Sequence, residues 1–325
     1  MSSILFFMFK EKHHAARLFA GFFICVVLSL SISDSVYPQE KTEPEGFVFR
    51  FAPPDGIKFT VNAKVNEVKS LGEFEQHTTV SELETNVVIN KSDDGCKIIH
   101  KLKSADVKRD GKDFPNPVSS LLKDIQITYE VDKYGQIVSV SGYDKLIEKL
   151  KEMTTESAAE ALSEVKDEQV LVGKDMAEWN SKIGYFIGLT PAVGDMWIMV
   201  EQYPMPTGEM IYYYSALKFV EKVKCGGSEC IKITFDYNTS AETLAEQVEM
   251  TKEKIVESAG LAGDLVNVAD VAIEGEGERL IDPATMLIYS ETITRTVKMD
   301  MEIPGKGTVR GIKREKREYS YDYGK

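Results

Sequence analysis

Apolar and polar residues alternate over most of the chain after residue 46. Phe59, Val61, Ala63 and Val65, for example, stand at every second position with polar residues between them. A period of two is typical of a β-strand with one buried side and one solvent-facing side, as in an antiparallel sheet. Similar segments are joined by turn sequences such as Ser92-Asp93-Asp94-Gly95, which predict hairpins.

The period changes to helical spacing in several places. Leu146 to Met153, Met176 to Phe186 and a stretch from about Ser240 to Ser258 place apolar residues on one side of a helix. Antiparallel strands with a few helices between them favour the α+β class. We therefore predict a mostly antiparallel, strongly curved β-sheet, like half of a barrel, with amphipathic helices packed on its concave face. The second half of the chain loosely repeats the order of strand and helix patterns seen in the first. Either a duplication that gave two diverged halves or similar turn sequences alone would explain this likeness.

The first 35 residues have the parts of a secretion signal. Lys10, Lys12 and Arg17 precede an apolar run from Leu18 to Leu30, and small residues follow near Ser33. The run is shorter than the about 20 residues that span a bilayer, so we expect cleavage and no stable transmembrane segment in the mature protein. The chain then works in the periplasm or outside the cell. The predicted divisions are a signal peptide (1–35), a flexible leader (36–46), a β-rich half with helices (47–190) and a β-rich half with one helix (191–325).

Charge and cysteine content restrict the partners and the compartment. The 325 residues include 39 Lys and Arg against 52 Asp and Glu, a formal net charge of −13. Such a chain repels phosphate backbones, so we predict no nucleic acid partner. Cys225 and Cys230 flank a short Gly-Gly turn between two strand patterns, where their Cα atoms come close enough for a disulfide bond. Cys96 is left over, and a small buried apolar group is its simplest role.

Two groups of aromatic residues are candidates for binding. The first contains Met196, Trp197, Met199 and Tyr213, which could line an apolar pocket for a lipid-like ligand or simply pack in the core. The thioethers of Met196, Met199, Met205 and Met210 could also bind Cu(I). The second is the final strand pattern from Lys313 to Tyr323, where three tyrosines alternate after a basic run. This strand could bind a partner, or it could use its charge to protect a sheet edge.

Signatures of catalysis and of cofactor binding are missing from the sequence. Only His77 and His100 follow the signal, too few for a zinc site with its about four ligands. No G-x-S-x-G or P-loop sequence occurs, and Gly275-x-Gly277 lacks the third glycine and the following helix of a phosphate loop. We therefore predict no cofactor, no metal and no catalytic residue.

The favoured function is a non-enzymatic exported protein that binds a lipid-like or other apolar ligand or a partner protein. The alternative is an extracytoplasmic hydrolase whose site is assembled from distant acids.

One short segment supports a family resemblance. Pro191-Ala192-Val193-Gly194-Asp195-Met196-Trp197 resembles the P-x-V-G-D-x-W segment of an uncharacterised family of exported bacterial proteins, a domain of unknown function. The hairpin from Tyr129 to Ile137 and the Gly-rich stretch from Gly275 to Arg279 also fit that family. This resemblance implies export but brings no activity, cofactor or site residue. By architecture only, the predicted fold is also similar to periplasmic lipoprotein-carrier half-barrels, which hold acyl chains between sheet and helices.

Overall fold

The computed structural model describes residues 46–72, 75–114, 116–153, 168–204, 210–238, 267–303 and 307–324. The predicted signal peptide, nearly all of the leader and the helix expected near residues 240–258 lie outside this part of the chain.

Twelve antiparallel strands in the described part of the chain form one sheet. In chain order they are β1 Ile57–Leu71, β2 Glu75–Ser92, β3 Gly95–Arg109, β4 Lys112–Asp113, β5 Gln126–Asp132, β6 Ile137–Ser141, β7 Met196–Pro204, β8 Met210–Cys225, β9 Ser228–Asn238, β10 Asn267–Ile281, β11 Ile288–Ile303 and β12 Gly307–Asp322.

The helices are few and short. They are α1 Pro117–Leu122, α2 Tyr143–Glu152 and α3 Glu168–Trp179, and α3 continues as a π-helical turn, Asn180–Gly184. The side chain of Asn116 accepts a hydrogen bond from Ser119 N and caps α1, whose first residue is a proline. In α2 the predicted apolar side is buried, with Leu146, Ile147 and Leu150 against the sheet.

The strand order shows why the segment between β6 and β7 has to cross the sheet. The order is β6-β5-β3-β2-β1-β12-β11-β10-β9-β8-β7, and β4 pairs with β3 outside this path. The chain therefore runs outward from β1 to β6, crosses to β7 at the opposite edge, and returns strand by strand to β12, which pairs with β1. The crossing contains α2, α3 and the π-helical turn, so these elements lie over the sheet rather than beside it.

The segment before β1 and the crossing itself form the centre of the core. Phe49 N donates to the carbonyl of Leu189 and Gly188 N donates to that of Phe49, which joins the start of the described chain to the end of the crossing. Trp179 packs against all three hydrophobic clusters, which draw residues from strands near both edges of the sheet. We call the face of the sheet that contacts these segments the inner face.

The predicted α+β class is wrong. The described part of the chain is mainly β, a single open antiparallel sheet, and its helices have only 6, 10 and 12 residues. The helical spacing from Met176 to Phe186 is confirmed as far as Gly184, since the last turn of α3 is followed directly by the π-helical turn. The strands are long, and β10 runs without a break from Asn267 to Ile281.

Candidate functional site

The residues of the predicted apolar pocket lie on β7 and β8. Tyr213 is fully buried on the inner face, and its hydroxyl donates to Glu201 at 2.8 Å. Met199 packs against the same hydrophobic cluster, and Trp197, paired with Leu217, lies on the same face but is partly exposed. Met196 is 69% exposed on the outer face. The pocket therefore stays a prediction, and three of its four residues share a face.

The cysteines are placed as the sequence indicates. Cys225 and Cys230 form a disulfide bond across the turn between β8 and β9, with their Cα atoms 5.8 Å apart. Cys96 is a buried free cysteine on β3, and burial raises the pKa of its thiol to about 11. A thiol held in the protonated form is a poor nucleophile, so Cys96 acts as part of the core.

The two histidines lie in different environments. His77 Nδ1 is 2.9 Å from Asp110 Oδ2 in an exposed pair. The centre of the His100 ring lies 4.6 Å from that of the Tyr129 ring, and burial lowers the pKa of His100 to about 4. His100 pairs with Val87, ten residues from His77 along β2, so about 33 Å separates the two positions. They do not form one catalytic site. Among the described residues, no group of three or more His, Cys, Asp or Glu side chains is arranged to hold a metal ion.

A half-buried area of the inner face extends beyond the core on β12, β1, β2 and β3. The strand register aligns twelve of its side chains in three cross-strand rows, and all twelve have intermediate burial. From β12 to β3 the rows are Tyr321, Val61, Thr85 and Leu102; Tyr319, Ala63, Leu83 and Ala105; and Arg317, Val65, Ser81 and Val107. We call these twelve residues the platform.

The platform is an apolar surface of useful size. Seven of its residues are aliphatic, and two tyrosines stand along the β12 side. Three steps between strands and two steps between rows give an area of about 14 by 13 Å. Its first row continues the core directly, since Val61 packs against the cluster that contains Val87 and Ile89. The platform therefore provides an apolar surface that the described chain covers only in part.

Charged side chains border the platform on the side away from the core. Glu315 is only 3% exposed and accepts hydrogen bonds from Arg295 Nε at 2.9 Å and Arg317 Nη2 at 3.1 Å. Lys313 Nζ is 3.5 Å from the same carboxylate. Burial alone would raise the pKa of Glu315, but these three cations outweigh burial and lower its pKa to about 2. Glu315 is therefore ionised and is shared by three positive groups.

Arg295 also connects this border to Tyr213 on β8, on the other side of β10. It lies on β11 opposite Gly275 of β10, and its Nη1 donates to the Tyr213 hydroxyl at 2.9 Å. A Cβ atom on Gly275 would lie 2.2 Å from the carbonyl oxygen of Thr294. Gly275 of the Gly275-x-Gly277 sequence is thus required by the close approach of the β11 backbone.

A second buried ion pair fixes the crossing segment to the sheet. Arg279 on β10 donates its Nε to Glu291 Oε1 at 2.7 Å, and its Nη2 contacts the same oxygen. Its Nη1 donates to the carbonyls of Ser181 and Lys182 at 3.2 Å each, in the π-helical turn. Lys182 Nζ lies 3.1 Å from the other oxygen of Glu291. This arrangement accounts for the position of the turn above β10 and β11.

Two cavities lie near the platform. The larger, of about 550 Å³, is lined by the middle platform row and by the polar residues that flank each of its members. Strand alternation places those flanking side chains on the outer face, so the lining combines residues of both faces of the sheet. The smaller, of about 230 Å³, lies between β3 and α1 and is lined by Ala105, Val107 and Ser119, among others. It leaves open space at the β3 side of the platform.

The segment that carries the family resemblance forms a turn before β7. Gly194 has a φ of +98°, which favours glycine, and its N–H donates to the carbonyl of Phe219 at 2.7 Å. The Asp195 carboxylate accepts a hydrogen bond from Ala192 N at 2.9 Å. The conformation of the turn explains the Gly-Asp pair without a ligand.

No model of a protein family matches the chain, and no curated protein matches it. One solved structure similar to it is of lipovitellin, studied for lipid–protein interactions, with 10% identity and a TM-score of 0.41. That match covers 84% of this chain but only 26% of the lipovitellin chain, about a quarter of its length. A putative exported protein of Bacteroides fragilis with a YmcC-like fold is 11% identical, with a TM-score of 0.21 over 82% of this chain and 97% of its own. DynF of Micromonospora chersina is 9% identical, with a TM-score of 0.18 over 90% and 94%. Likenesses this low carry no argument about the activity of this chain.

Proposed function

We propose that the mature protein is an exported, non-enzymatic binding protein that holds a lipid-like or other apolar ligand on the platform. The observation that carries this proposal is the set of seven aliphatic side chains that share one face of three adjacent strands, β1, β2 and β3, and are only half-buried. Apolar surface of this kind favours an apolar partner, because removing it from water contributes about 25 cal/mol per Å².

The rigidity of the surroundings supports binding on the sheet. The platform continues the packed core on one side, and the Glu315 network borders it on the other. Strands carry the ligand-facing residues, and a site on strands is held more firmly than one on loops.

An extracytoplasmic location is supported by two observations. The first is the secretion-signal pattern of residues 1–35. The second is the Cys225–Cys230 disulfide bond, which persists in oxidising compartments. Among the described residues, no helix is both long and apolar enough to cross a membrane.

The test is to express the full chain in a host that exports it, purify the processed protein without detergent and analyse it by native mass spectrometry and by lipid extraction. We expect a copurifying lipid-like molecule. After removal of lipid, the protein should bind the neutral fluorescent probe N-phenyl-1-naphthylamine and increase its emission. A protein that contains no extractable ligand and leaves the probe emission unchanged would refute the proposal.

A pair of matched variants locates the site. Ala63→Gln places a polar side chain in the middle of the platform, whereas Ala216→Gln makes the same change on the outer face of β8. We expect Ala63→Gln to weaken probe binding several-fold and Ala216→Gln to leave it unchanged. Equal effects of the two changes would place the site elsewhere.

A further inference from the structure

Arg317 is the cationic residue of the platform. It lies in the third row, beside Val65 and two residues from Tyr319 on the same face of β12. About a quarter of its side chain is exposed. Arg317 therefore stands where the apolar surface ends and the charged border begins.

The donors of Arg317 are only partly used. Its Nη2 donates to Glu315 at 3.1 Å, but its Nε is buried and has no hydrogen-bond partner. A buried donor without a partner costs free energy, so native proteins rarely leave one. A guanidinium has five donors in a fixed fork that matches a carboxylate or a phosphate.

The carboxylate beside Arg317 is already occupied. Glu315 accepts from Arg295 and Arg317 and is also in contact with Lys313, so one negative charge serves three positive ones. The adjacent Glu67 likewise contacts both Lys313 and Lys69. Glu178 also lies close enough to act on Arg317, so four cations face three carboxylates at the platform border, in a chain whose net charge is −13. An anion at this border would find a complementary charge.

We propose that the ligand of the platform is an anionic amphiphile, a single apolar chain with a carboxylate or phosphate head group that binds Arg317. The chain lies over Val65, Ala63 and Leu83, and the head group lies against the guanidinium. This inference rests on the proposed function, and it specifies the chemical class of the ligand. Free fatty acids and lipid phosphates share this chemistry.

The experiment compares three ligands that have the same chain and different heads. Laurate, dodecyl phosphate and 1-dodecanol are titrated into delipidated mature protein, and each is measured by its displacement of N-phenyl-1-naphthylamine. We expect the two anions to bind about 10- to 100-fold more tightly than the alcohol, as for a hydrogen-bonded charge pair. The order of the two anions then distinguishes a carboxylate head from a phosphate head.

Three variants test the assignment to Arg317. Arg317→Gln should reduce anion binding to the level of 1-dodecanol and leave the alcohol unaffected, while Arg317→Lys should keep part of the preference. Arg314→Gln, an exposed arginine on the outer face of the same strand, should leave all three affinities unchanged. If Arg317→Gln does not fold, the wild-type comparison and Arg317→Lys still decide the question.

The two proposals fail in different ways. If no ligand binds, the proposed function is refuted. If 1-dodecanol binds as tightly as both anions, the anionic head group is refuted and the apolar platform stands. If Arg317→Gln and Arg314→Gln reduce anion binding equally, the assignment of the head group to Arg317 is refuted.

Discussion

Removing Arg279 should destabilise the protein far more than removing an exposed cation from the same pair of strands. Arg279 and Glu291 are cross-strand partners on β10 and β11, and both side chains are almost completely buried. Arg279→Met leaves Glu291 buried with only Lys182 at 3.1 Å and also frees two carbonyls of the π-helical turn. Breaking a buried ion pair in this way costs about 3–5 kcal/mol.

The matched control is Lys298→Met. Lys298 pairs with Glu274 on the same two strands, but the two side chains are 39% and 57% exposed. An exposed pair contributes at most about 1 kcal/mol. Urea unfolding followed by tryptophan fluorescence gives the free energy of unfolding of each variant. The reasoning would be refuted if the two variants differed by less than about 1 kcal/mol.

A double variant separates the lost charge pair from lost packing. Arg279→Met combined with Glu291→Leu removes both buried charges, and Lys182 keeps its contact with Glu178 at 2.8 Å. Replacing both partners by apolar groups is often close to neutral. We expect the double variant to regain a large part of the stability lost in the single variant. If it regains none, then the loss comes from packing and from the freed carbonyls.

Three further predictions concern stability. Glu315 has a folded-state pKa of about 2 against an ordinary value of 4.5, so its contribution to the free energy of unfolding is present above pH 4.5 and is lost as the pH falls. The Glu315→Gln variant should therefore lose about 1 kcal/mol less unfolding free energy than the wild type between about pH 6 and pH 4. The same pH dependence in both proteins would contradict this prediction. Cys225→Ala with Cys230→Ala should cost about 2 kcal/mol because the closed loop is short, and reduction of the wild type should match that loss in urea unfolding. Gly275→Ala should lower the thermal midpoint, since its Cβ would lie 2.2 Å from a backbone oxygen. Gly173→Ala has open space around its Cβ in α3, so it should raise the free energy of unfolding by about 0.5–1 kcal/mol. A Gly275→Ala protein more stable than Gly173→Ala would refute both expectations.

Local sequence patterns predicted the strands and helices well where one side of the element is exposed to solvent. The alternation from Phe59 to Val65 lies in β1, and the turn from Ser92 to Gly95 joins β2 to β3. The helical spacing around Leu150 is confirmed by α2. These signals are local because a strand or helix with one buried side shows its period in a short window.

The buried charges could not be recognised from the sequence. Arg279, Glu291, Arg295 and Glu315 occupy inward positions of alternating strands, where charge normally indicates a solvated side. Each becomes compatible with burial only through a partner on a neighbouring strand, and strand pairing is not visible in a single sequence. The same limit hid the platform, because its rows join residues 61–65 of β1 to residues 317–321 of β12.

The buried pairs also bear on how such long strands find one register. β10, β11 and β12 have 15 or 16 residues, and a slip of one residue would turn every side chain to the opposite face. A slip of two keeps the faces, and apolar packing alone discriminates weakly against it. Arg279 and Glu291 are direct partners, as are Arg295 and Glu315, so a two-residue slip at either interface would separate a buried charge from its partner. An unpaired buried charge costs several kcal/mol. The buried charges therefore interrupt the apolar core, but they make the native register more stable than either two-residue slip.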